Sequence, residues 1–304
     1  MLSMRMSSSF LRSLSRLMAN CAHLSTDLNA FKDILSKARN VVVLTGAGIS
    51  AESGVPTFRG AGGLWRNYVA QDLATEYAFY DNPGLVWEFY HYRREVVRKT
   101  EPNPGHLSLA QAEKRFKADR RSFTIITQNV DGLHLRAGSQ NVVELHGNLF
   151  KTRCTSCSDV MENYDSPICP ALANRGSPVF DPKQHTQIPE ESLPHCHKMV
   201  KTLDRTHVCG GLLRPHIVWF GESLDRDVLR RVDIAMTVAD ACMVVGTSAL
   251  VYPAADFGPT LAKRGVPVAE INIDPTPSTE AFKFFFRGKS GEILPQLLDS
   301  LVLS

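Results

Sequence analysis

The stretch VVVLTGAGISAESGVPTFRG, Val41 to Gly60, decides the fold. Its first part is a continuous β-branched and aliphatic run ending in glycine, the composition of a strand buried on both faces of a parallel sheet. Gly46, Gly48 and Ala51 then satisfy the G-x-G-x-x-G/A spacing of a phosphate-binding turn placed directly after a strand. The glycines permit a tight turn and close backbone approach, and the helix start that follows offers unpaired N–H groups to a pyrophosphate. A plain strand-to-helix turn would show the same spacing, so the motif needs support from the rest of the chain.

That support comes from similar strands at Phe123 to Thr127, Ala241 to Gly246 and Val266 to Ile271, each beside helical patterning. Upstream, Asp27 predicts the N-cap of a helix through about Lys37, with Leu28, Phe31, Ile34 and Leu35 on one face. The alternation predicts an α/β fold with a Rossmann-like, doubly wound parallel sheet. Two stretches interrupt it. Residues 67 to 120 read as amphipathic helices, including Pro83 to Lys99 with Leu85, Val86, Phe89 and Tyr90 on one face, and residues 151 to 209 are rich in Cys, Pro and His. They predict a smaller helical and zinc-binding domain inserted in a core made of about 25–66, 121–150 and 210–304.

A hydride-transfer enzyme of this fold places an acidic residue roughly 20 positions after the glycine turn, at the end of a second strand. Residues 52 to 67, ESGVPTFRGAGGLWRN, instead form a Gly/Pro-interrupted loop with no such strand or acid. A bound dinucleotide is expected, and ordinary dehydrogenase chemistry is not.

The leader MLSMRMSSSFLRSLSRLMANCAHL, residues 1–24, carries Arg5, Arg12 and Arg16, many serines, and no acid appears before Asp27. That is the composition of a mitochondrial transit peptide, so the matrix is the expected location and the mitochondrial import machinery an expected partner; cytosol and nucleus stay open as further locations. The formal charge of +3 comes from 34 basic and 31 acidic residues and owes much to this leader, which removes the electrostatic case for nucleic acid or a membrane surface. No apolar run approaches the roughly 18 to 20 residues that span a bilayer.

Seven cysteines, an odd number, argue against a disulfide framework. Cys154 and Cys157 have the C-x-x-C spacing that presents two thiolates to tetrahedral zinc. Cys196 and Cys209 supply a second pair across an unusually long gap, with His195, His197, His207 and Cys169 as alternatives to Cys196. Four thiolates leave no open position for water, so the zinc is expected to be structural.

In order along the chain, GAGISAESGVPTFRG (Gly46 to Gly60), TQNVDGLH (Thr127 to His134), LHG (Leu145 to Gly147), C-x-x-C (Cys154 to Cys157), GTS (Gly246 to Ser248) and IN (Ile271, Asn272) resemble the motif series of the sirtuins, from about residue 36 to 300. YHYRRE (Tyr90 to Glu95), KTRCTSC, RPHIVWFGE (Arg214 to Glu222) and LVYPAA (Leu250 to Ala255) are similar to the mitochondrial sirtuin-five type, which removes succinyl, malonyl and glutaryl groups from lysine. The resemblance implies that NAD is a co-substrate and that acylated lysines of proteins are the partners. The acyl oxygen then attacks the nicotinamide ribose and expels nicotinamide, and O-acyl-ADP-ribose and free lysine result.

By the same resemblance His146 is the base, a task suited to the ordinary histidine pKa, and Gln128, Asn129 and Asp131 complete the catalytic set. The NAD site is implied to take in Gly46, Ala47, Gly48, Ser50, Ala51, Glu52 and Thr57, with Phe58 shielding the ribose and Arg59 on a phosphate or ribose. It also takes in Trp65, Val130, Gly246, Thr247, Ser248, Asn272, Ile273, Asp274 and Ser290. Substrate contacts fall to Ala70, Tyr90, Arg93, Val218, Trp219, Phe220 and Gly221. Tyr90 and Arg93 are three apart on a predicted helix and share a face, and an arginine fork with a tyrosine hydroxyl suits a distal carboxylate. Spacing does not separate Arg93 from Arg94. Gly132 stands where the acidic-acyl type usually carries Glu, which keeps plain deacetylation or ADP-ribosyl transfer open, and a non-catalytic NAD-sensing module is the further alternative.

Overall fold

Asp27 accepts hydrogen bonds from the Asn29 and Ala30 N–H groups and starts α1 (Leu28–Lys37) where its sequence predicts. The computed structural model describes residues 24–57, 63–179, 187–201 and 205–304. Residues 1–23, 58–62, 180–186 and 202–204 lie outside the described residues.

After α1 the elements that frame the site are β1 (Asn40–Thr45), α2 (Ala47–Ala51), α3 (Pro83–Arg98), α4 (Pro104–Ala118), β2 (Ser122–Thr127), β3 (Val142–Glu144), β4 (Gly147–Cys154) and β5 (Val160–Glu162). They continue with β6 (Leu213–Ile217), α5 (Arg226–Val238), β7 (Ala241–Val245), α6 (Phe257–Lys263), β8 (Val268–Asn272), β9 (Phe284–Arg287) and α7 (Ser290–Leu298). A parallel sheet runs in the order β9-β8-β7-β1-β2-β3. Strand order therefore reverses between β1 and β7, the position at which open α/β sheets bind ligands beyond the carboxyl ends of their strands. Thr45 is level with Thr127 on one side and Val245 on the other, so the loops after β1, β2 and β7 leave the sheet side by side.

Side chains of β1 part alternately to two layers, as a pleated strand requires. Val41 and Val43 pack with Phe31 and Leu35 of α1, Leu109, Ala112 and Phe116 of α4, and Leu294, Leu297 and Leu298 of α7. Val42 and Leu44 pack with Val232, Ala235 and Met236 of α5 and Leu261 of α6. Although α4 falls in the stretch read as an insertion, it covers the parallel sheet. Its N-cap Asn103 donates to Ile49 O at 2.7 Å and Ser53 Oγ at 3.0 Å, tying that helix to the glycine turn.

A second unit is an antiparallel sheet, β6-β4-β5, crossed by α3. Trp87 donates to Leu213 O at 2.9 Å, fixing helix against sheet. Buried Arg94 donates to Leu149 O, to Asn163 O and Oδ1, and to Asp165 O. Among the described residues no helix is long and apolar enough to cross a membrane.

Ile125 is fully buried in β2, between β1 and the edge strand β3 of the parallel sheet. Ile125→Ala should lower unfolding free energy by about 2–5 kcal/mol in urea titrations with an unchanged slope; a loss below about 1 kcal/mol would contradict its place in the packed core.

Candidate active site

Gly46 N donates to Val245 O at 3.0 Å and Gly48 N to Gly246 O at 2.8 Å, so the turn after β1 lies directly on the loop after β7. A Cβ on Gly48 would stand 2.7 Å from Gly246 Cα, and one on Gly46 2.8 Å from Thr247 Cα, which explains glycine at both positions. On the other side Asn129 Nδ2 donates to Gly46 O at 2.9 Å and Ser50 Oγ at 3.0 Å. Asn272 Nδ2 donates to Thr247 O at 2.7 Å. Four strand ends are thus linked in one row by backbone approach and two asparagine amides.

A cavity of about 570 Å³ opens between this row and the second unit. Ala47, Ser50, Thr57, Gln128, Asn129, Val130, Asp131 and His146 line it, together with Ala70, Tyr90, Arg93, Val218, Trp219, Phe220 and Gly221. Residues expected on the phosphate and adenosine side lie off its walls. Gly46, Gly48, Gly246, Thr247 and Asn272 form the row just described, while Ala51 closes α2, and Ser248 follows Thr247. Glu52 accepts from Ser290 Oγ at 2.6 Å and from Gly291 N, capping the start of α7. Ile273 is exposed, and Asp274 pairs with Arg287 at 3.0 Å on the surface. Trp65 is fully buried among the second unit's aromatics and donates to Gly176 O at 3.2 Å. Phe58 and Arg59 lie outside the described residues.

His146 occupies the junction between β3 and β4, and its Nδ1 is 3.1 Å from Gln128 O. A carbonyl only accepts, so Nδ1 carries the proton and Nε2 keeps its lone pair. Asp131 is buried; burial pushes its carboxyl above the usual range, against the Leu133 N–H, Ser50 and the charge of Arg93, which favour ionisation. Burial likewise lowers Arg93 and raises Tyr90. The Arg93 guanidinium carbon is 5.4 Å from the Tyr90 ring centroid and 5.5 Å from that of Phe89. The structure separates the two neighbouring arginines: Arg94 is consumed by carbonyls inside the second unit, and Arg93 lines the cavity.

Phe89, Val96, Val97 and Leu149 also wall the cavity, and none of them belongs to the expected site residues. Positions 89, 90, 93, 96 and 97 share one helical face, so the face carrying Arg93 was itself the available signal. Val55, Pro56, Leu224 and Tyr252, also on the walls, belong to loops and carry no periodicity.

The four cysteine sulfurs Cys154, Cys157, Cys196 and Cys209 lie within 4.8 Å of one another. Cys154 Sγ is 3.6 Å from Cys209 Sγ, and Cys157 Sγ is 3.8 Å from Cys196 Sγ. Tetrahedral zinc with Zn–S bonds of about 2.3 Å sets its sulfurs about 3.8 Å apart, so the donor set fits that ion. Cys196 joins the cluster, and His195, His197, His207 and Cys169 stand outside it. The strand pair formed by Met199–Lys201 and Thr206–Val208 takes up the long gap as a hairpin between Cys196 and Cys209.

The sequence profile of the Sir2 family matches residues 46–253. Over 285 residues the chain is 55% identical to "NAD-dependent protein deacylase sirtuin-5, mitochondrial" of Canis lupus familiaris, covering 93% of this chain and 89% of the relative. It is also 55% identical over 275 residues to the protein of the same name from Danio rerio, covering 90% and 87%. A crystal structure of a Sir2 homolog–NAD complex superposes with a TM-score of 0.77 at 39% identity, covering 93% of this chain and 98% of that one. Since the profile spans the glycine turn, the His146 junction and all four clustered cysteines, the chain belongs to the Sir2 family.

Proposed function

We propose that this chain removes acyl groups from protein lysines in a reaction that consumes NAD, and that its preferred acyl groups end in a carboxylate: succinyl, malonyl or glutaryl. The observation that carries this reading is one cavity lined both by His146, Asn129 and Asp131 and by Tyr90 and Arg93. The relatives' printed names and the NAD-bound neighbour support the same reaction class.

NAD supplies an electrophilic ribose carbon and nicotinamide as the leaving group, so that the acyl oxygen takes nicotinamide's place and water completes the release of lysine and O-acyl-ADP-ribose. The protein's part is to hold the two reactants and to manage one proton. The tight turn at Gly46, Ala47 and Gly48, with Ser50, Ala51, Thr57, Gly246, Thr247 and Ser248, lets the phosphates approach the backbone closely, and Arg59 adds charge. Asn272, Ile273 and Asp274 take the adenosine ribose, with Glu52 and Ser290 holding α7 beside it. Gln128, Asn129, Val130 and Asp131 hold the nicotinamide half.

With Nδ1 committed to the Gln128 carbonyl, His146 Nε2 is the atom that takes a proton from a ribose hydroxyl. Ala70, Val218, Trp219, Phe220 and Gly221 bound the lysine path. Arg93 lines the same cavity as the apolar Phe89, Val96, Val97 and Leu149, and a carboxylate there gains a charge-assisted, bidentate bond that an acetyl group cannot offer.

Cys154, Cys157, Cys196 and Cys209 would hold one zinc ion that fastens the second unit and takes no part in the reaction. Both relatives carry "mitochondrial" in their names, and residues 1–24 have an import leader's composition, so the same reading places residues 25–304 in the matrix as the catalytic unit.

His146→Ala should lower kcat about 10²- to 10⁴-fold in a nicotinamide-release assay; near wild-type turnover would remove His146 as the base. Arg93→Met should raise KM for a succinyl-lysine peptide at least about tenfold, with a much smaller change on acetyl-lysine; equal losses on both would refute the carboxylate role. Purified protein should contain about one zinc equivalent, and chelation should lower its melting temperature. A metal-free preparation with full stability would contradict the zinc assignment. Mass spectrometry of products from NAD and a panel of acyl-lysine peptides tests the whole reading, which fails if NADH forms and no nicotinamide appears.

A further inference from the structure

We propose that Trp219 is a positioning residue for acyl selectivity: its indole N–H occupies the Tyr90 phenol oxygen and so turns the phenol's own hydrogen toward the distal carboxylate of the acyl group. The inference rests on the acyl-pocket reading given above and assigns to Trp219 a role beyond lining it.

Trp219 Nε1 lies 2.8 Å from Tyr90 Oη, both groups being buried. An indole nitrogen is a donor only, so the phenol oxygen accepts this bond and keeps its hydrogen for an acceptor elsewhere. The Arg93 guanidinium lies over the same ring, its carbon 5.4 Å from the Tyr90 centroid, and a guanidinium also has only donors to offer. With the indole donor on its oxygen, the phenol O–H is left to donate into the cavity that Tyr90 lines. Of the cavity walls, Phe89, Val96, Val97 and Leu149 offer no side-chain acceptor, while the carboxylate of Asp131 accepts from the Leu133 N–H and that of Glu222 from Arg214 and the Trp219 backbone N–H. A ligand carboxylate fills that lack. Burial holds the phenol above its ordinary pKa, so it remains a donor throughout the neutral range.

The indole is itself clamped. The Arg214 guanidinium carbon stands 3.5 Å over the Trp219 ring. The same guanidinium forks onto Glu222, with NH1 to Oε1 at 2.5 Å and NH2 to Oε2 at 2.9 Å, and donates to Ile217 O. Glu222 Oε2 closes the loop by accepting from the Trp219 backbone N at 2.8 Å. Ring and backbone of Trp219 are therefore held by one ion pair, which fixes the direction of its N–H.

The test replaces Trp219 with β-(3-benzothienyl)alanine, which fills the same space and lacks only the N–H, alongside Trp219→Phe, Tyr90→Phe and the double variant. The readout is kcat/KM for a succinyl-lysine peptide divided by that for an acetyl-lysine peptide. Loss of the N–H should lower this ratio about tenfold, mainly through KM of the succinyl peptide. In the Tyr90→Phe background the same replacement should leave the ratio unchanged, because the two groups act as one unit. Arg214→Lys should lower the ratio by a smaller factor. A purely structural tryptophan would depress both substrates alike and keep the ratio, and that result in the benzothienyl protein overturns the inference. A wild-type enzyme with no preference for the succinyl peptide overturns the pocket reading and this inference together; a preference retained without the N–H overturns this inference alone.

Discussion

The closeness of the turn after β1 to the loop after β7 is the constraint on which the site depends. With Gly48 positioned so that a single added carbon would meet Gly246 Cα at 2.7 Å, the two loops share one layer of backbone. That contact is possible because β1, β2 and β7 end level with one another, and level ends follow from parallel pairing in register. Asn129 then spans from the third loop to Gly46 and Ser50. A side chain at either glycine would have to push the β7 loop outward, and with it the ledge on which Asn272 holds Thr247.

Much of this was legible from residues alone, and the reason is periodicity. The runs at Val41, Phe123 and Ala241 are continuous and apolar because both faces of their strands are covered, and α1 runs as its cap and apolar stripe predict and α3 as its stripe predicts. Legibility failed where a local pattern serves a distant partner. The α4 helix has the same amphipathic stamp as α3, yet it packs on the parallel sheet, and nothing in its own sequence states which of two cores it faces. Arg93 and Arg94 are chemically identical neighbours; only the carbonyls of Leu149, Asn163 and Asp165, which lie 55 to 71 residues away, consume one and leave the other on the cavity.

The cysteine gap shows the converse. Twelve residues between Cys196 and Cys209 weaken a spacing argument, because ligand motifs are recognised by short loops. A hairpin removes the difficulty: Met199 pairs with Val208 and Lys201 with Thr206, so the chain returns to its starting level and presents both sulfurs to the same point. Sequence distance and spatial distance part company wherever a strand pair closes the gap.

His146 gives the two units a common mechanical point. Only Leu145 and His146 separate β3 of the parallel sheet from β4 of the antiparallel one. The His146 carbonyl accepts from Val218 N at 2.9 Å, at the start of the wall that runs through Trp219, while its ring is held by the Gln128 carbonyl from the other unit. One residue is therefore bonded through its backbone to the acyl side and through its ring to the nucleotide side. A shift of either unit alters the aim of Nε2 relative to both reactants, and misplacement on the order of 1 Å is enough to cost about two orders of magnitude in rate. This gives the buried anchors far from the cavity, such as Arg94 and Trp87, a reason to be strong: they hold the sheet from which the base projects.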